Sequence, residues 1–92
     1  MAVSLLVPTA LRGFTDRKAE LTFEGDTVKE VLDALVGAYP DIKPHMFDEN
    51  GQLRAFINVF VGDTNIKSTG GMATKLSDGD TLMLVPAIAG GR

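Results

Sequence analysis

A chain that ends on small residues can present its own carboxylate as a reactive group. Near its C-terminus this 92-residue chain reads Pro86-Ala87-Ile88-Ala89-Gly90-Gly91-Arg92. Ala87, Ala89, Gly90 and Gly91 carry little or no side chain, so the segment suits a narrow channel. Glycine lets a backbone approach another backbone or a ligand closely. Five extended residues span on the order of 17 Å, enough to carry a terminus into a buried site. A carboxylate at Gly91 is a poor acyl donor until it is activated, for example by adenylation with ATP in a partner. The activated carbonyl carbon can then accept sulfur or an amine, and the carrier needs no catalytic side chain of its own.

The rest of the chain offers less. His45 is its single histidine and there is no cysteine. That leaves no Cys–His nucleophile pair and a poor zinc site. His45 reads as a solvent-facing loop residue. Carboxylates adjoin at Asp48/Glu49 and Asp78/Asp80, but acid–base pairs need a cleft and separated pKa values. Asp78-Gly79-Asp80 reads instead as a tight turn. Gly70-Gly71 before Met-Ala-Thr-Lys hints at a phosphate loop, yet it lacks both the Walker spacing and G-x-G-x-x-G. It reads as backbone freedom in a loop. The body is therefore expected to hold no catalytic residue, no metal and no cofactor.

Composition narrows the partners. The formal net charge is −3, and the nine basic residues are scattered from Arg12 to Arg92 without forming a stripe. A general nucleic-acid binder would show one. No apolar run reaches transmembrane length, and the N-terminus lacks the pattern of a signal peptide. The absence of cysteine suits a reducing compartment. The expectation is a cytoplasmic protein with no nucleic-acid or membrane partner. It has one domain over residues 1–86 and a flexible tail over 87–92.

These features rest on few elements. Residues 3–8 read as a strand that Pro8 ends. Residues 9–17 read as a loop pivoting on Gly13, and 18–24 as a second, half-buried strand. Residues 25–40 hold the clearest element, a helix. Thr27 is its N-cap, Glu30 completes a capping box, and Val28, Val31, Leu32, Leu35 and Tyr39 form one apolar stripe. Pro40 stops it. Residues 41–54 read as a long irregular connection and 55–63 as a strand. A short edge strand at 64–68, a glycine-punctuated loop at 69–80 and a last strand at 81–86 follow. The order β-β-α-β-(β)-β gives an α+β fold. It predicts a mixed four- to five-stranded sheet with one main helix on one face, a β-grasp (ubiquitin-like) layout. A small ferredoxin-like domain shares that order.

One helix covers one sheet face. Strand alternation assigns Leu82, Leu84, Ile57, Val59 and Val61 to the core beside Val31, Leu32 and Leu35. It leaves Phe60, Met83 and Val85 on the open face, with Phe56 as a further candidate. An apolar patch there would be a partner-docking surface.

With these residues in place, the chain resembles the MoaD/ThiS family of ubiquitin-like sulfur carriers, over nearly its whole length. The likeness is carried by Phe56–Asp63, Gly70–Thr74 and Asp78–Gly91, and more loosely by Val7–Arg12. The Gly-Gly-x-Ala-Thr segment and the Pro-Ala-Ile-Ala-Gly-Gly ending lean toward the CysO-type branch, which serves cysteine biosynthesis. Val31–Ile42 also resembles archaeal small modifier proteins of the same fold.

The resemblance implies a β-grasp fold and a non-enzymatic role as a protein co-substrate. An E1-like enzyme adenylates Gly91 with ATP, and a sulfur donor replaces AMP to leave a thiocarboxylate. A cysteine synthase-like enzyme accepts the sulfur, and a JAMM-type metalloprotease releases the product. The segment threading the partner's active site would be Ala87, Ile88, Ala89 and Gly90. Family carriers end at the second glycine, whereas Arg92 follows here. Either a protease cuts between Gly91 and Arg92, or Arg92 is an appended residue. Two other classes stay open. One is a Urm-like or archaeal-type modifier joined through Gly91 to lysines of target proteins. The other is an interaction module whose tail is inert.

Overall fold

Period-two alternation of apolar residues builds the sheet, and one amphipathic helix closes it. The structure, a computed structural model, describes residues 2–86. Strand β1 (Ala2–Leu6) pairs antiparallel with β2 (Glu20–Glu24). Helix α1 (Val28–Ala38) follows, then a 3-10 turn (Pro40–Ile42) that runs into the short helix α2 (Lys43–Met46). Strands β3 (Ile57–Val61), β4 (Thr64–Asn65) and β5 (Thr81–Pro86) complete a mixed sheet of order β2-β1-β5-β3-β4. Among the described residues only the β1–β5 pairing is parallel, and it places β5 at the centre. The fold is a five-stranded β-grasp with its helix on one face, as the element order predicts.

The helix forms where its cap and stripe dictate. Thr27 Oγ1 accepts the N–H of Glu30 at 3.3 Å. The Glu30 carboxylate reaches back to the N–H of Asp26 at 2.8 Å, one residue earlier than the usual capping box. Val28, Val31, Leu32 and Leu35 are fully buried, and they meet Val3, Leu5, Ile57, Val59, Leu82 and Leu84 of the sheet in one core. Each such side chain contributes about 1.5–3 kcal/mol on removal from water. Pro40 ends α1 and begins the following turn, where its missing N–H costs no hydrogen bond.

Several connections are more ordered than the sequence suggests. Residues 9–14 are a 3-10 helix rather than loop. The chain reverses after it at Asp16 and Arg17, both left-handed with φ of 56° and 65°, and not at Gly13. Thr15 beneath them is fully buried, and its hydroxyl serves the carbonyls of Lys18 and Arg12. The connection at 41–54 carries α2, because Ile42, Met46 and Phe47 bury apolar side chains in the core. The strand expected at 55–63 is shorter, with Ala55 and Phe56 in a turn before it. Among the described residues no helix is long and apolar enough to cross a membrane.

Candidate functional site

The sheet has one face for the helix and one without a covering element among the described residues. On β5, Leu82 and Leu84 point into the core, while Met83 is 38% exposed and Val85 half-buried on the other side. On β3, Ile57 and Val59 are buried, and Asn58 and Phe60 face outward with Val85 and Met83. Phe60 lies opposite Met83, and Asn58 opposite Val85. Across the parallel pairing, Leu6 of β1 aligns with Met83. The open face therefore carries an apolar row, Leu6–Met83–Phe60, over three adjacent strands.

Phe60, Met83 and Val85 thus stand together on this face. Phe56 is 44% exposed and stands immediately before the first paired residue of β3, so strand pairing does not align it with the other three. Val61 is half-buried at the rim of the core rather than within it, because β3 ends there and the chain turns at Gly62. Leu6 belongs to the row although its sequence context does not mark it. Its parity within β1 was legible, but its place beside Met83 depends on a parallel pairing between residues 77 positions apart.

Between the end of β1 (Leu6–Pro8) and the end of β5 (Met83–Pro86) lies an apolar groove of about 350 Å³ that Arg12 borders. It adjoins the point where the chain leaves the sheet at Pro86. Ala87, Ile88, Ala89, Gly90, Gly91 and Arg92, which carry the proposed reactive terminus, lie outside the described residues.

The other groups that might have supplied chemistry have structural work. Asp48 accepts the N–H groups of Asn50 and Gln52 and closes a turn. Asp78 accepts the N–H of Ala2, and Asp80 that of Ser77, so both carboxylates brace the approach to β5. His45 is exposed on α2, not in a loop, and stacks on Phe14 with ring centroids 4.2 Å apart. Gly70 and Gly71 adopt φ of 114° and 64°, the left-handed region that a side chain resists. Their turn lets the Thr74 hydroxyl donate to Gly71 and lets the Thr74 carbonyl receive the N–H of Val28 at the start of α1. The double glycine shapes a backbone that supports the helix. On the solvent side of α1, Asp33 raises the pKa of Lys29, first by a hydrogen bond of 2.6 Å and then by its charge.

A family model described as the ThiS family matches residues 5–91. The chain belongs to the ThiS family. It is 36% identical over 93 residues to the sulfur carrier protein CysO of Mycobacterium tuberculosis (strain H37Rv), covering 99% of this chain and all of that one. It is 34% identical over 76 residues to small archaeal modifier protein 1 of Haloferax volcanii, covering 82% and 83% of the two chains. In structure it resembles a chain of the Amycolatopsis orientalis BexX/CysO complex with a TM-score of 0.88. The identity is 37%, covering 97% of this chain and 99% of that one. This ThiS-family chain is therefore a ubiquitin-like β-grasp protein similar to sulfur carriers, and more distantly to archaeal modifiers.

Proposed function

We propose that this protein is a sulfur carrier that works as a co-substrate of partner enzymes, with Gly91 as its reactive residue. The supporting observation is a spacing. The central strand β5 ends at Pro86, and Gly90-Gly91 follow within five residues. The match to the ThiS family also runs to residue 91 and leaves Arg92 out. In this reading a metalloprotease of the JAMM type removes Arg92 and anything beyond it. An E1-like enzyme docks on the open face. The Gly91 carboxylate attacks the α-phosphate of ATP and expels pyrophosphate. Hydrosulfide released by a sulfur donor then attacks the glycyl carbonyl, loses its proton and expels AMP, leaving a thiocarboxylate. The carrier binds no cofactor itself, since ATP and the sulfur donor belong to the partner.

The acceptor we favour is an activated serine derivative held by a cysteine synthase-like enzyme, in the cytoplasm. Likeness to a sulfur carrier named CysO supports cysteine as the product. The likeness to an archaeal modifier supports a second reading, conjugation of Gly91 to lysines. Both begin with adenylation and part at the acceptor.

Intact mass of the untagged protein from its own host tests the proposal. A species ending at Gly91, part of it heavier by an oxygen-to-sulfur exchange, is the expected result. If Arg92 persists after incubation with candidate JAMM-type and E1-like enzymes and no sulfur is gained, the proposal fails. Gly91→Ala should abolish the sulfur-bearing species without changing the unfolding midpoint.

A further inference from the structure

The groove at the root of the C-terminal segment is bordered by a charge that is fixed in place. The Arg12 Nε donates to the carbonyl of Val7 at 2.9 Å, which turns the guanidinium along the end of β1. The backbone of Arg12 is held as firmly. Its carbonyl accepts the N–H of Thr15 at 3.1 Å and that of Arg17 at 2.8 Å, within the reversal built on two left-handed residues. The 3-10 helix that carries Arg12 (Thr9–Phe14) is pinned at Leu11, buried in the core, and at Phe14, stacked on His45. Arg12 is half-buried, and no carboxylate among the described residues forms an ion pair with it. A guanidinium whose stem is already ordered loses little freedom when its remaining N–H groups find an anion.

We infer that Arg12 is a docking anchor that pairs with a carboxylate on the adenylating partner, while an apolar side chain of that partner fills the adjoining groove. The inference rests on the carrier reading above. Two observations select this occupant. The groove shares Leu6 and Met83 with the apolar row and so continues the open face past the ends of β1 and β5. Its charge is positive on a chain of net −3, so it would steer an acidic side chain to this one corner. A phosphate of the bound nucleotide fits less well. Gly91 lies five residues beyond Pro86, a reach of about 17 Å when extended, so the reacting phosphate sits far from Arg12 in a threaded complex.

The test is ATP–pyrophosphate exchange by the E1-like enzyme encoded in the same genome. The substrates are the chain processed to Gly91 and its Arg12→Lys, Arg12→Gln and Arg12→Ala variants, and unfolding midpoints are measured in parallel. We expect KM for the carrier to rise about tenfold or more in Arg12→Gln and Arg12→Ala, with kcat unchanged. Arg12→Lys should fall between, because it keeps the charge and loses the planar fork. The wild-type KM should rise with salt, and that of the neutral variants should change less. Variants that lower the midpoint but keep the wild-type KM and salt dependence would make Arg12 a purely structural residue and overturn the inference. If Arg12→Ala does not fold, Arg12→Lys and Arg12→Gln decide the matter. Absence of exchange with the wild-type chain would remove the carrier reading and this inference together. Exchange with unchanged KM in the variants would remove this inference alone.

Discussion

Met83 on β5 lies directly opposite Phe60 on β3, on the sheet face that α1 leaves uncovered. The two are an antiparallel cross-strand pair, and Leu6 extends them across the parallel partner strand. Such pairs contribute little to stability beyond their mutual contact, roughly 0.2–1 kcal/mol. An exposed methionine beside an aromatic ring suits instead a surface that another protein covers. Met83→Glu should raise KM for the adenylating enzyme by about tenfold or more while leaving the unfolding midpoint within a few degrees. Exchange kinetics and a thermal melt on the same sample check both halves.

The adjacent residue should behave in the opposite way. Leu82 faces the core and is fully buried. Leu82→Ala should destabilise by about 2–5 kcal/mol through lost burial and a cavity. Its folded fraction should keep the wild-type KM. Urea unfolding followed by circular dichroism gives the first value and exchange assays the second. The contrast between neighbours one residue apart is the sharpest check on the register.

The cap at Thr27 is a local stability device. Thr27→Ala removes the acceptor for the Glu30 N–H. It should cost about 1 kcal/mol, a fall in the unfolding midpoint of roughly 4–8 °C for a domain of this size. Thr27→Ser should recover most of the loss.

Gly70 distinguishes a backbone role from a ligand-binding one. Its φ of 114° strains any residue with a Cβ. Gly70→Ala should destabilise by about 1–3 kcal/mol and leave the kcat of adenylation unchanged. A selective loss of kcat in a folded protein would mean that the loop touches the nucleotide.

The Lys29–Asp33 pair gives the expected pH behaviour. Asp33 raises the folded-state pKa of Lys29 above the unfolded one. Its stabilisation is therefore fully present below the unfolded value of about 10.4, and is lost as pH rises through the folded value. Both side chains are exposed, so the gain is small and screened by salt. Asp33→Asn should leave the pH 7 midpoint at the wild-type value in high salt. A large fall that persists in high salt would contradict this.

The sequence by itself determined the parts with local causes. The Thr27 cap and the stripe from Val28 to Leu35 depend on neighbours within a few residues, and they form as read. Alternation along β3 and β5 assigned each side chain to a face, because a strand's period of two is intrinsic to its backbone. Other features depended on contacts distant in sequence. The 3-10 helix at Thr9–Phe14 and α2 at Lys43–Met46 are too short to form alone, and they exist because Leu11, Ile42 and Met46 find the core. The reversal fell on Asp16 and Arg17 instead of Gly13 because the buried Thr15 hydroxyl holds it there. Tertiary structure alone set Leu6 beside Met83 and brought Arg12 to the edge of the groove beside Pro86. The reason is the same in each case. The pairing of β1 with β5 joins the two ends of the domain, and no local pattern encodes which residues that parallel register aligns.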